Sequence, residues 1–105
     1  MEGRCDCGGV TITIPGLRET INACPCAFCR RVGGQWGYYP RGGVTTTGET
    51  QVYRRASRMI EFHRCAVCGV LTHWVDPDGR LPHMGVHMKN FDPAITAGVP
   101  LVVEP

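Results

Sequence analysis

Cys5-Asp6-Cys7-Gly8-Gly9-Val10-Thr11-Ile12-Thr13-Ile14-Pro15-Gly16 holds both features that decide this fold: two cysteines on a glycine-rich turn, and a strand that leaves it. Val10, Ile12 and Ile14 alternate with Thr11 and Thr13 until Pro15-Gly16 stops them. A period of two puts the apolar side chains on one face of a half-buried strand. Further β-rich segments run from Gln35 to Tyr39, Val44 to Thr47, Thr50 to Tyr53, Met59 to Phe62, Val70 to Val75 and Pro100 to Val103. Turn formers such as Arg41-Gly42-Gly43 and Asp76-Pro77-Asp78-Gly79 flank them. With 14 Gly and 8 Pro, no long window keeps a helical period, so helices are expected to be short. The chain reads as mainly β.

A length of 105 residues fits one domain, 1–105, with a core small enough that a metal staple contributes usefully to stability. Hydrophobic residues make up 43% and charged residues 19%, the balance of a folded globular chain. The net charge of +2 and the absence of any basic run longer than Arg30-Arg31 or Arg54-Arg55 argue against a nucleic-acid partner. Neither a secretory signal nor a membrane-spanning apolar run is legible, so a cytoplasmic location without membrane contact is expected. In a reducing compartment, seven cysteines point to thiols and metal rather than to disulfides.

The cysteines fall in three clusters: Cys5-Asp6-Cys7, Cys24-Pro25-Cys26-Ala27-Phe28-Cys29 and Cys65-Ala66-Val67-Cys68. Zinc takes four sulfurs at about 2.3 Å, and two cysteines on one tight turn can both face it. Gly8-Gly9 and Gly69 follow the first and third clusters, where a positive φ suits such turns. Cys5, Cys7, Cys65 and Cys68 therefore make one closed tetrahedron. Cys24, Cys26 and Cys29 remain as three thiolates with an open fourth position, the ligand count of a catalytic zinc. Arg30 and Arg31 follow at once, where cations favour thiolate over thiol. An alternative stays open at this point: a histidine among His63, His73, His83 and His87 would close the second site into a purely structural one. Trp36, Tyr38, Tyr39 and Trp74 read as core or sheet-face residues.

Taken in order, C-x-C-G, then C-x-C-x-x-C-R-R with Gly33-Gly34, then C-x-x-C-G resembles the glutathione-dependent formaldehyde-activating enzymes. Val86 to Pro93 resembles the segment that closes that domain. The resemblance implies a zinc-stapled β-tent of small antiparallel sheets, with a structural zinc on Cys5, Cys7, Cys65 and Cys68 and a second zinc on Cys24, Cys26 and Cys29. It also implies a carbon-sulfur lyase that handles glutathione and formaldehyde, condensing them to S-hydroxymethylglutathione. Arg30 and Arg31 are the expected cationic partners of the thiol's carboxylates. The family often carries His between the first two triad cysteines, whereas this chain has Pro25, which stiffens the loop and offers no N–H. A non-catalytic zinc module for partner binding is the alternative reading.

Overall fold

The alternation at Val10 to Ile14 survives in the folded chain: Val10, Ile12 and Ile14 are buried and Thr13 is exposed. The computed structural model describes residues 1–55 and 59–105. Strand β2 (Thr11–Thr13) pairs with β1 (Glu2–Arg4) on one side and β5 (Thr45–Thr47) on the other, forming a three-stranded antiparallel sheet. The second sheet has seven strands in the order β10-β3-β4-β9-β8-β7-β6. They are β3 (Ile21–Ala23), β4 (Gln35–Pro40), β6 (Thr50–Arg54), β7 (Glu61–Cys65), β8 (Leu71–Val75), β9 (His83–His87) and β10 (Leu101–Val103). Among the described residues every ladder is antiparallel except β3 with β10, a parallel pair at the sheet edge.

Each expected β segment corresponds to a strand, although Met59 to Phe62 slides forward to Glu61–Cys65. Three strands escape sequence reading: β1, β3 and β9. The last lies at the heart of the sheet, between β4 and β8. Its Gly85 looks like a strand breaker, yet a side chain there would begin 2.0 Å from the Trp74 indole nitrogen. Glycine is what lets the two strands close over that ring.

The larger sheet has a different core on each face. On one face, Ile12 and Ile14 from the small sheet pack with Tyr39, Met84, Val86, Met88 and Phe91. On the other face, Trp36, Phe62 and Trp74 pack with Cys29. Alternation along β4 makes this division, since Trp36 and Tyr38 point to the second core while Tyr39 points to the first. The helices are short, as expected: α1 (Ala27–Val32) lies against the second core, and α2 (Pro93–Thr96) precedes β10. Among the described residues no helix is long and apolar enough to cross a membrane.

Candidate metal centres

The turns β1–β2 and β7–β8 fold alike. Cys5 N–H donates to Val10 O at 3.1 Å and Cys65 N–H to Val70 O at 2.9 Å. Gly8 N–H closes on Cys5 O and Gly69 N–H on Cys65 O, each at 3.0 Å. Both glycines have φ of 78°, the left-handed region that a side chain would strain. These paired knuckles aim four sulfurs at one point: Cys5, Cys7, Cys65 and Cys68 all lie within 4.8 Å of one another.

Cys7 Sγ stands 3.7 Å from Cys5 Sγ and 3.6 Å from Cys65 Sγ. Sulfurs at the corners of a zinc tetrahedron are about 3.8 Å apart when each is about 2.3 Å from the ion. Backbone N–H groups point at the sulfurs, from Val10 to Cys5 at 3.2 Å, Gly9 to Cys7 at 3.3 Å and Val67 to Cys65 at 3.4 Å. Such donors stabilise thiolate. N–H groups of Val70 and Cys7 pull Cys68 down to about 6, and those of Cys68 and Val67 lower Cys65. The Gly9 N–H acts in the same sense on Cys7, but the Cys65 and Cys5 thiols beside it push it up to about 11. Four sulfurs this close cannot all be negative without a cation among them, and the donor set fits a soft dication.

The second group is Cys24, Cys26 and Cys29, whose sulfurs also fall within 4.8 Å of one another. The segment expected as a loop is partly helical. Cys24 follows β3, Cys26 is the N-cap of α1, and Cys29 is on the first turn, buried. Cys26 Sγ accepts the Cys29 N–H at 3.3 Å, taking the place of a capping oxygen. Burial opposes its ionisation, but that N–H and the neighbouring thiols bring Cys26 down to about 7. Burial pushes Cys24 and Cys29 up. Among the described residues no His, Asp or Glu donor joins either group.

With both cysteine groups assembled on this β scaffold, comparison with known families is decisive. The model of the glutathione-dependent formaldehyde-activating enzymes matches residues 1–99 of the 105. The chain belongs to this family. A crystal structure of a Rhodobacter sphaeroides protein superposes with a TM-score of 0.78 at 25% identity, covering 96% of this chain and 99% of that one. None of the curated proteins matches the chain.

In this family member the triad lies between two pockets. One, of about 350 Å³, is lined by Cys24, Cys29, Arg30, Gly34 and Gln35 among others. The second, of about 260 Å³, touches all three triad cysteines and has Trp36, Phe62 and Trp74 as walls. Of the two expected cations, Arg30 therefore lines a pocket at the triad, whereas Arg31 Nη1 turns back to Ala27 O at 2.8 Å. Sequence reading missed a third, Arg55, which lines the aromatic pocket. It also left Trp36 and Trp74 as plain core. They are core, but they also wall the triad, and the signal was the alternation of Trp36 with Tyr38 so soon after Cys29. Trp36 Nε1 is buried with no hydrogen-bond partner among the described residues, and it lowers the Cys29 pKa against the larger upward push of burial.

The histidines serve the sheet. His87 Nδ1 accepts the Gln35 N–H at 3.3 Å, which leaves its proton on Nε2. Thr72 Oγ1 donates to His63 O at 3.1 Å, so its contact with His73 Nδ1 at 2.9 Å is one in which the imidazole donates. His73 stacks on His63 with ring centres 4.3 Å apart, and His83 sits edge-on to Tyr38 and Trp74. Burial lowers both His73 and His87 to about 4. In the unfolded chain they titrate near 6.5, so between about 6.5 and 4 the unfolded state binds more protons and stability falls as pH falls. Above 6.5 both states are neutral and the effect vanishes. His73→Gln, which does not titrate there, should lose melting temperature less steeply across that window at equal metal content. An unchanged slope would show that His73 is not held neutral.

Proposed function

We infer that the chain is a zinc-dependent carbon-sulfur lyase, with zinc at both cysteine groups, that joins glutathione or a related thiol to an aldehyde at the Cys24, Cys26 and Cys29 site. The observation that carries this reading is the triad itself: three converging sulfurs, no fourth His, Asp or Glu donor among the described residues, and a pocket on either side. Membership of the family supports the choice of substrates. The fold reads as one domain, 1–105, with Cys5, Cys7, Cys65 and Cys68 as its structural clamp. When bound at the triad, zinc supplies Lewis acidity, which favours thiolate over thiol and polarises a carbonyl.

The residues divide the remaining work. Cys24, Cys26 and Cys29 hold the ion, and the Trp36 N–H beside Cys29 steadies its charge. Arg30 lines the larger pocket and offers a cation to a carboxylate of the thiol. Arg31, tied to Ala27 O, is the weaker candidate for that role. Phe62 and Trp74 give the other side a buried apolar wall. The overall addition is neutral in redox: a C–S bond forms, the S–H bond breaks, and its proton ends on the former carbonyl oxygen.

The test is exchange NMR of formaldehyde and glutathione with the zinc-loaded protein, which should speed their interconversion with S-hydroxymethylglutathione. No acceleration by protein holding two zinc ions per chain would leave the non-catalytic module as the better reading. Calorimetry separates the arginines. Arg30→Ala should weaken glutathione binding by about 1.5 to 3 kcal/mol, the worth of a hydrogen bond to a charged group. Arg31→Ala should change it far less. Equal losses, or none in Arg30→Ala, would remove Arg30 from the thiol site.

A further inference from the structure

We propose that the carbonyl substrate of this chain carries a phenyl-sized apolar group, held in the aromatic pocket beside the triad. The inference rests on the lyase reading above and names its second substrate class. Formaldehyde has two heavy atoms, and a pocket of about 260 Å³ is far larger than it needs. An enclosed apolar cavity of about 150 Å³ accepts benzene, and this pocket is larger, although it is open at one side and includes the space an ion at the triad would take. Here Trp36, Phe62 and Trp74 form buried walls, Ile60 and Met59 extend them outward, and the cysteine sulfurs form the end where an aldehyde carbon would react.

The pocket belongs to the triad and not to the sheet at large. Cys24, Cys26 and Cys29 all line it, so a ligand filling it is confined to the immediate neighbourhood of the sulfurs. Aromatic walls gain from a ring in offset or edge-on contact, and they gain nothing from a hydrated formaldehyde. Arg55 is the cation on this lining. It offers a cation to the thiol's second carboxylate, as Arg30 does from the lining of the other pocket. The thiol adds across the C=O bond of the aldehyde: the C–S bond forms, the thiol proton passes to the carbonyl oxygen, and nothing is oxidised or released.

Both tryptophans of the chain line this pocket, so binding can be read without turnover. Benzyl alcohol, an unreactive relative of benzaldehyde, should quench the fluorescence of the zinc-loaded protein saturably, and Met59→Arg should weaken it at least about tenfold. In exchange NMR with glutathione, kcat/KM for benzaldehyde should exceed that for formaldehyde by about tenfold or more. Turnover of formaldehyde with neither quenching nor benzaldehyde exchange overturns this proposal and leaves the lyase reading standing. Saturable quenching without exchange of any aldehyde overturns both, because the pocket then holds a ligand that is no substrate. Quenching that Met59→Arg leaves unchanged also overturns it, since the ligand then sits elsewhere.

Discussion

Cys65→Ser should not fold at room temperature, and Cys68→Ser should melt far below the unsubstituted protein. Cys65 ends β7 in the large sheet and is buried, while its partners Cys5 and Cys7 lie on the turn between β1 and β2 of the small sheet. A metal ion held by the four sulfurs would tie the two sheets together beside the core they share. Structural zinc in small domains supplies on the order of 10 kcal/mol or more of binding free energy that is coupled to folding. That equals the whole stability of a typical domain, about 5 to 15 kcal/mol. The serine hydroxyl can still accept from the backbone N–H groups of Val67 and Cys68, both of which face Cys65 Sγ, so the expected loss is that of the metal ligand. Circular dichroism melts with zinc analysis of the same samples check this. A Cys65→Ser protein that melts within a few degrees of its parent would show that the sheets hold without the clamp.

How much of this was legible in the sequence depends on the range of the signal. The four-sulfur site was readable because its chemistry is local: two knuckles, each announced by cysteine and glycine spacing, and only their meeting is long-range. Strand β2 was readable because one face of it is core and the other is not. Strand β9 was not, because its central Met84-Gly85-Val86 is buried on both faces and shows no alternation. Its glycine is explained only by Trp74, a neighbour from another strand. The same limit applies to the triad. Its three cysteines stand in one segment, but the walls of its pocket come from β4, β7 and β8, which no spacing rule connects. Arg30 and Arg31 are equivalent as text. Only the helix distinguishes them, since one lines a pocket and the other reaches back to a carbonyl one turn earlier.

Cys26→Ser should leave the fold intact and abolish the reaction. Cys26 is half-buried and caps α1 through its sulfur, and serine is among the best capping residues, so the helix keeps an acceptor for the Cys29 N–H. The triad also spans a single short segment between β3 and β4 and closes no long loop, so its loss frees little chain entropy. The metal suffers instead. Exchanging a soft thiolate for a neutral hydroxyl removes one of three ligands and one negative charge, and the site should empty, taking zinc content from two ions per chain to one. Without the several kcal/mol that a Lewis acid contributes to the barrier, kcat/KM should fall on the order of 10³-fold or more. The melting temperature should move by only a few degrees. Metal analysis, a thermal melt and exchange NMR on one preparation give the three numbers together. A Cys26→Ser protein that unfolds as badly as Cys65→Ser would mean that the triad is a second clamp. One that keeps its second zinc and its activity would mean that Cys24 and Cys29 hold the ion without it.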